Sequence, residues 1–153
     1  CRRGVLLGAL ALGSPLAAPA ASQAMVFDWA FVGDPMNPPD PSHSTCGPLL
    51  ADPCGQVAHL FQISRFEVTN QQYVKFLQSV ARDDLHGLYH PGMGASPLFG
   101  GILRTGAPGS YSYSLKPGFA EKPVVFVSFW SAVRFTNWLH NGEPYGPQGS
   151  ATT

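Results

Sequence analysis

Asp83, Asp84, His86 and His90 crowd one short stretch, RDDLHGLYHPG. On a helix, His86 and His90 would share a face, and two imidazoles beside two carboxylates could hold a metal. Gly87, Pro91 and Gly92 argue against a continued helix, so the stretch reads as an exposed loop rather than a metal site. Glu67 could serve as a general acid or base. Its place just before a helix start favours accepting hydrogen bonds there, where a carboxylate also meets the positive end of the helix dipole. Asn70, at the same junction, reads as a partner for backbone groups rather than a catalytic residue. Tyr111 and Tyr113 could stack against a carbohydrate, although a solvated strand face is the simpler reading. Trp130 and Trp138 could line a ligand groove, although two tryptophans on an apolar helix are more often core. No residue acquires a catalytic, cofactor-binding or metal-ligating role on these grounds.

Cys46 and Cys54 lie in a Gly/Pro-rich stretch. A disulfide closing that short loop is the first reading, with two free thiols as the alternative. A zinc site fits least, because two cysteines without a second ligand pair nearby cannot fill a tetrahedral shell.

The elements that must position these residues centre on ISRFEVTNQQYVKFL, residues 63–77. Phe61 and Ile63 share one parity, Phe66 and Val68 the other. The switch near Ser64-Arg65 predicts a bulge or tight turn between two short strands. Thr69 then caps a helix, with Gln72 at the spacing of a capping box. Tyr73, Phe76, Leu77 and Val80 form its apolar stripe, and Lys75, Gln78 and Arg82 lie off it. Residues 101–105 and 110–115 read as short strands, the second alternating Tyr111, Tyr113 and Leu115 with serines. Pro123–Val127 reads as a buried strand. Ser128 caps a second helix, Phe129 to about His140, with Ala132, Phe135, Trp138 and Leu139 inside. Phe129, Trp130 and Val133 give that helix a second apolar face, which predicts deep burial. Asn141-Gly142 stops it. Residues 25–56 read as an irregular, Pro-rich lead-in, whose start, MVFDWAFV at 25–32, could form a short strand. These elements predict an α+β fold with abundant loops.

Composition agrees with one loop-rich domain of 153 residues: 17 glycines, 15 prolines and only 12% charged residues. The net charge is zero. No basic block is present, which argues against a phosphate-neutralising, nucleic-acid-binding surface. Residues 1–24 read as a signal peptide. Arg2 and Arg3 precede an apolar run, Gly4–Gly13, that is too short to span a bilayer, and Ser22-Gln23-Ala24 offers a cleavage site. A buried apolar helix and a twin-arginine signal are the alternatives. No cysteine follows the apolar run, so no stable membrane anchor is expected. An exported protein results, periplasmic, cell-surface or extracellular. The first residue is Cys1 rather than Met, and the front of the sequence is read as a fragment.

Two blocks carry a recognisable pattern. FEVTNQQYVKFLQSVA, residues 66–81, holds Glu67, Val68, Thr69, Asn70, Tyr73 and Phe76 in the order E-V-T-N-x-x-Y-x-x-F. KPVVFVSFWSAVRFTNWLHNG, residues 122–142, holds Pro123, Val124, Val127, Ser128, Phe129, Ala132, Phe135 and Trp138 in the order P-V-x-x-V-S-F-x-x-A-x-x-F-x-x-W. Over about residues 57–150 the chain resembles the N-terminal part of a sulfatase-modifying factor domain, the family of formylglycine-generating enzymes. The segment between the blocks is similar to the secreted bacterial branch. The resemblance implies a C-type-lectin-like fold, incomplete in this chain. It implies an oxidoreductase that converts a target cysteine in a protein or peptide substrate to formylglycine, with copper held by two cysteines. Relatives use mononuclear iron in sulfoxide synthesis. The copper cysteines and the calcium ligands of the family fall later than this chain reaches, so copper or calcium is expected only in a full-length member and no catalytic residue is carried over. The alternative is a non-catalytic, lectin-like binding module outside the cell.

Overall fold

The computed structural model describes residues 24–40 and 54–153. The signal peptide expected over 1–24 falls, except for Ala24, outside the described residues, as does Cys46. Cys54 is in a disulfide whose partner also lies outside them.

Among the described residues two small antiparallel sheets and three helices make an α+β architecture. β1 (Trp29–Val32) pairs with β2 (Phe61–Ser64), Trp29 opposite Ser64 and Val32 opposite Phe61. α1 (Asn70–Val80) follows, then a single-turn α2 (Gly92–Ala95). β3 (Ile102–Thr105) pairs with β4 (Ser112–Leu115), Ile102 opposite Leu115. α3 (Phe129–His140) closes the order.

The predicted helices form for the predicted local reasons. Thr69 Oγ1 accepts the Gln72 N–H at 3.2 Å, and Gln72 Oε1 accepts the Thr69 N–H at 2.9 Å. This reciprocal box satisfies two donors that a helix start otherwise orphans. Ser128 Oγ accepts the Ser131 N–H at the start of α3. At its other end Gly142, at φ +82°, takes the left-handed position that a side chain would resist. The Gly142 and Glu143 N–H groups then return to the carbonyls of Leu139 and Trp138, a Schellman closure.

The core lies between α1 and α3. Tyr73, Phe76, Leu77 and Val80 are all buried, as the stripe predicted. Phe76 meets Phe135 and Trp138 at centroid separations of 5.4 and 5.1 Å, and Tyr73 meets Phe135 at 5.9 Å. Leu88, Met93, Ile102 and Tyr113 extend the cluster toward β3 and β4. Met25 and Phe27 pack on it from the N-terminal segment, Phe27 edge-on to Phe135.

Four expectations need correction. Residues 57–68 hold one strand, not two. The parity switch marks a bend at Arg65-Phe66, after which Val68 and Thr69 bridge to residues 123–124 instead. Residues 123–127 do not form a strand. Pro123 makes an isolated bridge, and Phe126 turns to φ +62°, which ends any extended run. α3 is not buried on two sides: Phe129 and Trp130 are each 72% exposed, and Ser131, Phe135 and Trp138 are its buried residues. Ala132, expected inside, is exposed, so the inner face is rotated toward Ser131.

Burial pushes the phenols of Tyr73, Tyr89 and Tyr113 upward from the ordinary value. The Asp84 carboxylate adds to this for Tyr73 and Tyr113, whereas Arg104 opposes it for Tyr89 and Tyr113. A group whose folded pKa is raised stabilises the fold below its unfolded pKa and loses that contribution as pH climbs. Stability should therefore decline above about pH 10. In a background with Tyr111 and Tyr145 changed to Phe, phenolate absorbance should rise together with loss of near-ultraviolet dichroism. A phenolate signal from a still-folded protein would contradict this account.

Candidate functional site

The strand–helix junction is densely hydrogen-bonded. Asn70, first residue of α1, is almost wholly buried. Its Nδ2 donates to the carbonyls of Lys122 (2.9 Å), Phe119 (3.0 Å) and Pro123 (3.3 Å), and its backbone N–H also reaches Lys122 O at 2.9 Å. Gly101 lies against the same amide: a Cβ there would come within 2.7 Å of Asn70 Cγ. Asn70 thus bonds backbone groups at the junction, as the sequence suggested, and in doing so fixes where the chain re-enters toward α3. Glu67 does not share in this. It is exposed, its carboxylate has no hydrogen-bond partner among the described residues, and Thr69 and Gln72 do the capping.

The stretch 83–90 is a loop, not a helix. His86 and His90 are exposed and do not converge with the aspartates on a common point. His90 stacks on Phe126 with centroids 5.4 Å apart, and its Nδ1 accepts the Gly92 N–H. Asp84 turns inward instead. It adopts φ +50°, a conformation that Asp tolerates better than most residues. Its side chain is 3% exposed and accepts from Leu88 N (2.7 Å), Tyr89 N (3.2 Å) and Arg104 Nη1 (3.2 Å). The Arg104 guanidinium lies 4.6 Å from the Tyr89 ring centroid and 4.3 Å from that of Tyr111. This knot ties the 83–90 loop to β3. Asp84→Ala should cost about 2–3 kcal/mol, because it orphans two amides and a partly buried cation. Chemical denaturation would measure it, and a cost under about 0.5 kcal/mol, the size of an ordinary surface change, would show that the knot holds nothing.

The two tyrosines form no platform. Tyr113 is buried and donates to Ala81 O at 2.8 Å, and Tyr111 lies half-buried against Arg104. The two tryptophans part company as well. Trp138 is fully buried and its Nε1 donates to Pro144 O at 2.9 Å, whereas Trp130 stands exposed edge-on to Phe129. Phe126, Phe129 and Trp130 therefore leave an exposed aromatic surface around the start of α3. Open clefts border α1. One of them, about 690 Å³, is lined by Met25, Thr69, Gln72, Lys75 and Glu121 among others.

Among the described residues the donor set does not fit copper. Cu(I) needs soft thiolates, and Cys54 is in a disulfide. Among the described residues no three His, Cys, Asp or Glu side chains converge as a metal site would require.

Residues 53–145, more than half of the chain, match the family model of the sulfatase-modifying factor enzyme 1-like domain. This chain belongs to that family. No curated protein and no solved structure matches it. The part matched to the sulfatase-modifying factor domain contains α1, β3, β4 and α3, the Asn70 junction and the Asp84 knot. Met25 and Phe27, which sequence reasoning missed as core residues, lie outside it. Their only local signal was the apolar alternation Met25, Phe27, Trp29, which also fits a strand. Among the described residues no helix is long and apolar enough to cross a membrane.

Proposed function

We propose that this chain is the N-terminal part of an exported sulfatase-modifying factor protein of the secreted bacterial branch, with a C-type-lectin-like fold completed by further residues. The complete protein is an oxidoreductase that converts a cysteine of a protein or peptide substrate to formylglycine. Its copper is held by cysteines outside this chain. The family match over residues 53–145 supports this reading, and the aromatic surface of α3 supports the part in which further residues complete the fold. Phe129 and Trp130 belong to the second sequence block and stand in water at 72% exposure, where a finished domain would cover such residues.

On this reading the residues described here scaffold the reaction. Asn70 and the capping box set the strand–helix junction, and α3 presents an apolar face to the rest of the domain.

The test is an assay of the full-length, copper-loaded protein on a sulfatase-type peptide carrying Cys, read by mass spectrometry. Formylglycine should form with the full-length protein and not with this chain alone. Formylglycine from this chain alone would overturn the placement of the active site. A full-length protein without paired thiolates and without activity would favour a lectin-like binding module instead.

A further inference from the structure

Met25 directly follows Ser22-Gln23-Ala24, the end of the segment read as a leader. Its backbone N–H donates to Glu143 Oε1 at 2.5 Å. The other oxygen of that carboxylate meets Lys75 Nζ at 2.6 Å, and the Glu143 side chain is only 12% exposed. A sheltered carboxylate is thus aimed at the one nitrogen that cleavage after Ala24 would turn into a chain terminus.

We propose that Glu143 is the receptor for a new N-terminus: hydrolysis of the Ala24–Met25 bond frees a Met25 α-ammonium that ion-pairs with Glu143 and locks residues 25–29 onto the core. The proposal rests on reading residues 1–24 as a leader. Water adds across the peptide bond; the carboxylate leaves on Ala24 and the amine on Met25 takes the proton. The bond to Glu143, until then charged on the acceptor side alone, becomes an ion pair with charge on both partners.

The surroundings are already built for this exchange. Phe27 packs edge-on to Phe135, so the segment behind the amine is anchored before any cleavage. Glu143 is held by the Schellman closure of α3, and the next residue, Pro144, accepts from Trp138. Two open clefts, about 690 and 520 Å³, both touch Met25 and leave space for solvent at the additional ammonium donors. Among the described residues the titratable groups nearby are Lys75 on α1, Glu143 and Tyr145 after α3, and Glu121 across the larger cleft.

A paired α-amine has a raised folded pKa. Its contribution is complete below the ordinary α-amino value of about 7.7–8.0 and fades as pH climbs through the raised value. The experiment expresses the full chain in an exporting bacterial host and reads the N-terminus of the recovered protein by mass spectrometry. NMR then follows the titration of its Met25 α-amine, with the thermal midpoint measured in parallel. The expected outcome is an N-terminus at Met25 and an amine that titrates above the ordinary range. The midpoint should fall by about 3 °C as that amine deprotonates, and Glu143→Gln should abolish both effects. An α-amine in the folded wild type that titrates at or below the ordinary range overturns the capture by Glu143. An N-terminus anywhere else overturns the leader reading, and the processing step with it, whatever the titration gives.

Discussion

Asn70→Ala should destabilise the fold by about 3 kcal/mol, since each buried group left unpaired costs about 1–3 kcal/mol. The variant keeps the helix N–H to Lys122 O but strips the amide that serves three carbonyls of residues 119–123. Asn70→Asp should be worse at neutral pH, although the side chain is nearly the same shape. A carboxylate at the first position of α1 gains about 0.3–1 kcal/mol from the helix dipole. It loses more, because its oxygens face carbonyl oxygens in a buried place and have no donor to offer. The carboxyl's folded pKa should therefore rise above its unfolded value of about 3.9. A raised pKa means that the acid form fits better, so Asn70→Asp should regain stability as pH falls toward about 4 and lose it as pH rises. Urea denaturation across that range measures the trend. Gly101→Ala gives an independent check, because its methyl would run into the Asn70 amide. The cost of Gly101→Ala should shrink in the Asn70→Ala background. If the two changes simply add, the contact carries no coupling energy.

The role of Asn70 was legible in the sequence because the features announcing it are local. A capping residue, a Gln three positions on and an apolar stripe specify the helix start within a few residues. The buried amide partner follows from its place beside the cap. β4 was legible for a similar reason: alternation over residues 110–115 needs no distant information. Other features were not local. Asp84 looked like a surface loop acid because Arg104, Leu88 and Tyr89 converge on it only in three dimensions. Tyr113 alternated with serines as a solvated strand face would, yet Ala81, at the end of α1, covers it. The run PVVFV has every composition signal of a buried strand. It fails because the Asn70 amide captures the carbonyls leading into it and Phe126 then turns to positive φ. The second apolar face of α3 was correctly seen as apolar. Its exposure depends on what surrounds the helix, which amphipathicity alone does not report.

Trp138→Ala should be the most damaging single change, at about 3–5 kcal/mol. That is a large share of the roughly 5–15 kcal/mol available to a domain, and the thermal midpoint should drop by about 10 °C or more. Trp138 is fully buried and touches both Phe76 and Phe135, so its removal opens a cavity where α1 meets α3. It also releases Pro144 O, the acceptor beside Glu143. Trp138→Phe separates the two effects. Phenylalanine fills most of the cavity but cannot donate to Pro144, so this variant should cost only about 1–2 kcal/mol. The Phe variant should nonetheless loosen the 142–145 turn. Amide hydrogen exchange at Glu143 and Gly146 should accelerate while that of Phe76 and Leu77 stays slow. If exchange in α1 and in the turn rose equally, Trp138 would act only by filling space. If the turn alone responded, the indole would be the link that transmits the order of the aromatic core to the carboxylate holding Met25 and Lys75.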